Sequence, residues 1–135
     1  VKSPIEQSVK FPCSPEVLFE MCMDSAKHSA STGARAHITR RAGGRFTAFD
    51  GALSGRNLLI IPNRMIVQAW RSTAFKKDDP DSILVLEFSK APGGAKVHLV
   101  HVNVPPQDHR GVSKGWPKYY WKPWKRYLAA RKRKS

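Results

Sequence analysis

Residues 116–128 read WPKYYWKPWKRYL, and this stretch decides the fold. At about 100° per residue, Tyr120, Trp121, Trp124, Tyr127 and Leu128 fall on one side of a helix, while Lys118, Lys122, Lys125 and Arg126 fall on the other. Pro117 suits a first helical turn. Pro123 removes an amide donor about one turn in and predicts a kink or restart there. A helix with so broad an aromatic face needs an apolar surface that wraps it, so the rest of the chain has to supply one. Arg131, Lys132, Arg133 and Lys134 lie beyond the apolar pattern and are expected to fray.

Upstream, residues 34–104 form a succession of apolar strands cut by turn signals. Gly43-Gly44 separates 37–40 from 45–49, and Asp50-Gly51 starts the next reversal. Pro62-Asn63 divides 53–61 from 65–75, the hydrophilic loop 76–81 leads to 83–88, and Pro92-Gly93-Gly94 leads to 97–104. Connections this short make an antiparallel meander. Near the start, Ile5, Gln7, Val9 and Phe11 alternate with Glu6, Ser8 and Lys10, a further strand with one buried face. Ser14-Pro15-Glu16 then offers a cap, a first-turn proline and an acid for a short helix carrying Val17, Leu18 and Met21. A second short helix, capped by Asp24 or Ser25, ends before Gly33. The expected class is α+β: a curved antiparallel sheet of six or seven strands wrapped around one long C-terminal helix, bent at Gly51 and Gly55, with one or two short helices after the first strand.

A chain of 135 residues makes one domain, which we place at 1–130, followed by a basic tail at 131–135. The net charge of +14 is uneven. Residues 1–108 hold 14 basic and 10 acidic side chains, a balance of +4, whereas residues 109–135 hold ten basic side chains and no acidic one. Basic character is therefore a C-terminal feature, suited to an acidic partner. No apolar run is long enough to span a membrane or to serve as a secretion signal, and the expected location is the cytoplasm. A start without Met leaves room for an upstream segment. Cys13 and Cys22 show no CxxC spacing; they read as small buried hydrophobes in a reducing compartment, with a disulfide left open.

The ordered set Gly43-Gly44-Arg45-Phe46, Asp50-Gly51, Ser54-Gly55, Pro62, Ile66-Val67-Gln68-Ala69-Trp70-Arg71, Asp81-Ser82, Val104-Pro105, Gly115-Trp116 and Tyr119-Tyr120 resembles the C-terminal domain of the activator of heat shock protein 90 ATPase. It is similar to that domain's stand-alone bacterial homologues, within the START-like, helix-grip superfamily. The likeness extends over nearly the whole chain. It implies a helix-grip fold, in agreement with the element order. It also implies two kinds of work: a cavity for apolar ligands between sheet and helix, as in much of the superfamily, or contact with a chaperone, as in the eukaryotic activator. Nothing in the sequence corresponds to the activator's separate N-terminal domain, so full ATPase activation is not implied.

Phe46, Trp70, Phe88, Leu99, Trp116, Tyr120, Trp121 and Trp124 are the candidates to line an apolar pocket, the competing role being simply to fill the core. The alternation that turns Val97 and Leu99 inward also turns His101 inward, where it would orient a ligand with Arg71 or Gln68; a buried, hydrogen-bonded imidazole is the alternative. Arg71, Lys76 and Lys77 of the 76–81 loop, with Lys118, Lys122, Lys125 and Arg126 of the helix, are the candidate partner contacts. Catalysis finds little support. Asp78, Asp79 and Asp81 read as a solvated turn, and His28, His37, His98, His101 and His109 show no metal-ligand spacing. Aromatics needed for the core are not free to stack bases, which counts against nucleic acid.

The expectation is a non-enzymatic protein that binds an apolar, lipid-like molecule under the helix. The alternative is a co-chaperone-like module contacting a heat-shock ATPase or another acidic protein; a cyclase or hydrolase is less favoured. No cofactor and no metal are expected.

Overall fold

The computed structural model describes residues 3–134, with side chains through Lys132. Ser135 and the side chains of Arg133 and Lys134, part of the expected basic tail, lie outside the described residues.

Turn chemistry lays out the sheet. Strands β1 (Ile5–Phe11), β2 (His37–Ile38), β3 (Arg45–Ala48), β4 (Leu53–Ile61), β5 (Met65–Ser72), β6 (Ser82–Ala91) and β7 (Gly94–Val102) pair antiparallel in the order β1-β7-β6-β5-β4-β3-β2. Asn63 takes the left-handed backbone (φ 65°) that closes the β4–β5 turn, and Gly93 (φ 81°) does so after Pro92 between β6 and β7. The turn falls at Pro92-Gly93-Gly94 as the sequence indicates, but the pairing runs up to it, with Ala91 opposite Gly94, so this hairpin is longer than the apolar pattern indicates. β5 stops at Ser72, three positions short of the expected end, because Ser72 O accepts from Phe75 N–H and turns the chain.

The irregularity in the sheet's pairing falls at neither glycine. Gly51 sits in the β3–β4 turn (φ 94°), not within a strand. Gly55 lies in regular pairing opposite Phe46 and Trp70. A Cβ there would come within 1.9 Å of Ala69 O and 2.7 Å of the Phe46 ring, so Gly55 permits close approach of Phe46 to the backbone. The register break falls beyond Gly55, between Asn57 and Leu59.

Helices α1 (Pro15–Met23) and α2 (Ser25–Thr32) follow β1, with Ser14 and Asp24 as caps accepting from Val17 N–H and Lys27 N–H. The C-terminal helix begins at His109, ahead of Pro117, as α3 (His109–Trp116), widens into a π-helical turn (Pro117–Trp121) and continues as α4 (Lys122–Lys134). The backbone is thus helical through Lys134, over residues the apolar pattern left to fray. Neither Pro117 nor Pro123 can donate to a helical ladder. The wide turn between them, with Lys122 N–H bonded to Pro117 O, replaces the expected break.

The curved sheet wraps this helix. Ile66, Gln68 and Trp70 of β5, Leu84, Leu86 and Phe88 of β6, and Val97, Leu99 and His101 of β7 are buried, as are Trp116, Tyr120, Trp121, Trp124 and Leu128 of the helix. Each large apolar side chain so buried contributes about 1.5–3 kcal/mol. Leu18, Phe19, Met21 and Met23 of α1 complete the core.

Candidate binding cleft and contact surface

Rings fill the space between sheet and helix. Trp70 meets Trp116 at 6.0 Å, Trp116 stacks on Trp121 at 5.6 Å, and Trp121 meets Trp124 at 5.4 Å. In a regular α-helix, residues five apart point about 140° away from one another; the π turn brings Trp116 and Trp121 onto one face. Phe11 closes on Trp124 at 5.6 Å and Phe88 on Phe19 at 6.0 Å. What remains free among Phe46, Trp70, Tyr120, Trp121 and Trp124 is about 20 Å³, roughly the room of one water. The pocket expected among Trp70, His101 and Trp121 is therefore occupied by the protein's own side chains. Phe88 and Leu99 are core residues on neither margin of a cavity.

His101 is part of that filling. Trp116 Nε1–H donates to His101 Nδ1 at 3.2 Å, which leaves the proton on Nε2 to reach Ser82 Oγ at 2.8 Å; Ser82 in turn donates to Trp70 O at 3.0 Å. Every position of the imidazole is used. Burial, reinforced by the charge of His109, pushes its pKa down to about 3, so it stays neutral. A second tie joins Tyr120 OH to His28 Nε2 at 3.0 Å and His28 Nδ1–H to Cys22 O at 3.0 Å; burial lowers the pKa of His28 and raises that of Tyr120. Trp121 Nε1–H donates to Gln7 Oε1 at 2.7 Å. These three ties fix the helix to β7, α2 and β1.

The other polar residues expected to orient a ligand are committed elsewhere. Gln68 faces inward but donates to Asn57 Oδ1 at 3.0 Å. Arg71 belongs to the opposite strand face from Trp70, by the period of two. Its guanidinium donates to Asp79 O and Lys76 O, each at 2.7 Å, and pairs with Asp81 at 3.0 Å, so it organises the 76–81 loop instead of reaching His101. Lys76, Lys77, Lys118, Lys122, Lys125 and Arg126 are all exposed.

Open space lies at one end of the helix, beside three of the side chains named from the sequence. A cleft of about 460 Å³ sits between α3 and the β3–β4 turn, within the roughly 300–1,000 Å³ typical of small-molecule sites. Trp70, Trp116 and Tyr120 border it, joined by Phe49, Leu53, Val112 and Tyr119. Gly111 and Gly115, four apart on α3, leave one wall without side chains. That spacing was the available signal, visible in HRGVSKGW but masked because two glycines weaken a helix reading. Gln107 on the rim donates to Asp79 at 3.0 Å and ties the cleft's edge to the Arg71 loop.

Burial pushes the Cys13 thiol up to about 11, opposed in part by Arg131, and also raises that of Cys22; both are free. Among the described residues no group of three or more His, Cys, Asp or Glu is placed to hold a metal ion, and no helix is long and apolar enough to cross a membrane.

Residues 12–129 match the family described as Activator of Hsp90 ATPase homolog 1-like protein. The Activator of 90 kDa heat shock protein ATPase homolog of Dictyostelium discoideum is 24% identical over 119 residues, 85% of this chain and 31% of that protein. Homolog 1 of Homo sapiens is 27% identical over 110 residues, 82% of this chain and 32% of that protein. The chain thus spans about a third of the length of these curated relatives. Among solved structures, an HSP90 activator from Plasmodium falciparum superposes with a TM-score of 0.86 at 24% identity, covering 95% of this chain and 97% of that one. The Aha1 dimer from Colwellia psychrerythraea gives 0.75 at 11% identity, covering 87% and 90%. These two structural likenesses concern the fold.

Proposed function

From the premise that the chain belongs to the Activator of Hsp90 ATPase homolog 1-like family, we propose that it is a non-catalytic, co-chaperone-like module that contacts a heat-shock ATPase of the 90 kDa class through its surface. The observation that carries this reading is the family match over residues 12–129. On the outside, Lys118, Lys122, Lys125 and Arg126 present a basic face suited to an acidic surface, while only about 20 Å³ is left under the middle of the aromatic face. The 76–81 loop, held in shape by Arg71, adds Lys76 and Lys77. Two free cysteines are in keeping with work in the reducing cytoplasm. Calorimetric titration against the 90 kDa heat-shock ATPase of the same host should give saturable binding at about 50 mM salt that weakens by an order of magnitude near physiological salt. Reversing the four helix charges to Glu should remove it, and no saturable binding by the unaltered chain at low salt would sink the proposal.

A second reading rests on the cleft. Its volume and its walls of Phe49, Trp70, Trp116 and Tyr119 suit an apolar small molecule. Native mass spectrometry of protein from its own host tests it; a bound mass displaced by Gly111→Leu supports the reading, and only the bare chain mass counts against it.

A further inference from the structure

The chain has 24 basic side chains against 10 acidic ones, yet no Lys, Arg, His or Glu borders the cleft, and the single formal charge on its wall is Asp108. Rings make up much of the rest: Phe49, Trp70, Trp116, Tyr119 and Tyr120. Ser72 and Gln107, the other polar side chains there apart from the tyrosines, are engaged. Ser72 Oγ accepts from Ala74 N–H at 3.1 Å, and Gln107 Nε2 donates to Asp79 at 3.0 Å.

Asp108 is differently placed. It stands directly before α3, where an Asp side chain ordinarily caps the helix, but it makes no capping hydrogen bond. Among the described residues it enters no ion pair, and its Oδ2 is shut off from water with no donor. A carboxylate left in that state is costly. A wholly apolar occupant of the cleft would add to the cost by driving water from the rest of the group. An occupant that brings a positive charge offsets it, and walls made of rings favour a cation over an anion.

We infer that the cleft binds an organic cation: an ammonium group that meets the Asp108 carboxylate, joined to an apolar body lying along Trp70, Trp116 and Tyr119. This rests on the second reading above, that the cleft is a small-molecule site, and adds the charge its occupant carries. Net charge alone gives the reverse order, since a chain of +14 attracts anions. A preference for cations at this spot is therefore a property of the cleft.

The test titrates the ¹⁵N-labelled chain with three probes of similar shape, phenylbutylammonium, phenylbutanol and phenylbutanoate, and follows the amide signals of Gly111, Val112 and Gly115. The ammonium should shift them saturably, with a Kd about tenfold or more below that of the alcohol. The carboxylate should leave them in place. Asp108→Asn keeps the shape of the side chain and removes its charge; it should bring the ammonium to the level of the alcohol and leave the alcohol's own titration unchanged, which also shows that the variant is folded. The order of the three probes on the unaltered chain decides even where the variant fails to fold. Binding of the alcohol as tight as that of the ammonium, or an ammonium titration that Asp108→Asn does not change, would overturn the inference while leaving the cleft as a small-molecule site. No shift with any of the three at millimolar concentration would remove the cleft reading itself, and the inference with it.

Discussion

His101 combines two roles: an apolar filler beside Trp70, ring centres 4.7 Å apart, and a hydrogen-bond hub between Trp116 and Ser82. In the unfolded chain such an imidazole takes up a proton near pH 6.5, but in the folded chain not until about 3. Between those values the unfolded state binds more protons, so acid draws the chain toward unfolding. Stability should be constant with respect to this group above about pH 6.5 and fall below it by up to about 1.4 kcal/mol per pH unit, with His28 acting in the same direction. Urea unfolding at pH 7 and pH 5 checks this: the unaltered protein should lose more than His101→Gln over the same interval. Ser82→Ala should cost about 1–3 kcal/mol, because it strands the buried Nε2–H. The inward aim of His101 was legible from the alternation with Val97 and Leu99. Its partners were not, because they lie 19 and 15 positions away on other elements, and only the assembled packing decides between ligand contact and structural tie.

Among elements, the strands were legible because the period of two and the turn residues agree; the C-terminal helix was legible from its aromatic side. What escaped the sequence depends on backbone geometry that periodicity does not encode. Pro123 announced a disturbance, but whether a helix breaks or widens depends on the neighbouring packing, and here stacking of Trp116 on Trp121 favours the wide turn. The β4 bulge is tied to Asn57, a fully buried amide bonded to Thr39 O and Gln68, yet in sequence it reads as one polar residue ahead of an apolar run. Two glycines, one on the cleft wall and one in the sheet, differ in what surrounds them. Gly111 has open space where a Cβ would stand, so Gly111→Ala should raise stability by about 0.5–1 kcal/mol in thermal unfolding. Gly55→Ala should instead cost about 3 kcal/mol or more, since its Cβ meets backbone; a melting point unchanged by that substitution would refute the close approach described for Phe46.

For the whole molecule, the sheet is completed by pairing β1 with β7, from Ile5 against His101 to Phe11 against Ala95. All other neighbours in the sheet are neighbours in sequence. Removal of residues 1–11 should therefore uncover the β7 edge and release Gln7 from Trp121, abolishing the cooperative transition seen by calorimetry; a truncated chain that still melts sharply would mean that the sheet stands without β1. The net charge of +14 described the surface correctly as far as Lys118, Lys122, Lys125 and Arg126 are concerned, but charge counting is blind to Asp108, which is one acid among ten until the fold sets it beside a wall of rings. The four tryptophans carry a further consequence. Linked ring to ring at 6.0, 5.6 and 5.4 Å, they share absorbed light, so the intrinsic fluorescence of the chain reports on a single spot. Trp70 and Trp116 touch the cleft, and none of the four lies on the lysine face. A small molecule entering the cleft would quench or shift that emission, while a non-fluorescent protein docking outside would leave it unchanged, so one optical titration tells the two kinds of occupant apart.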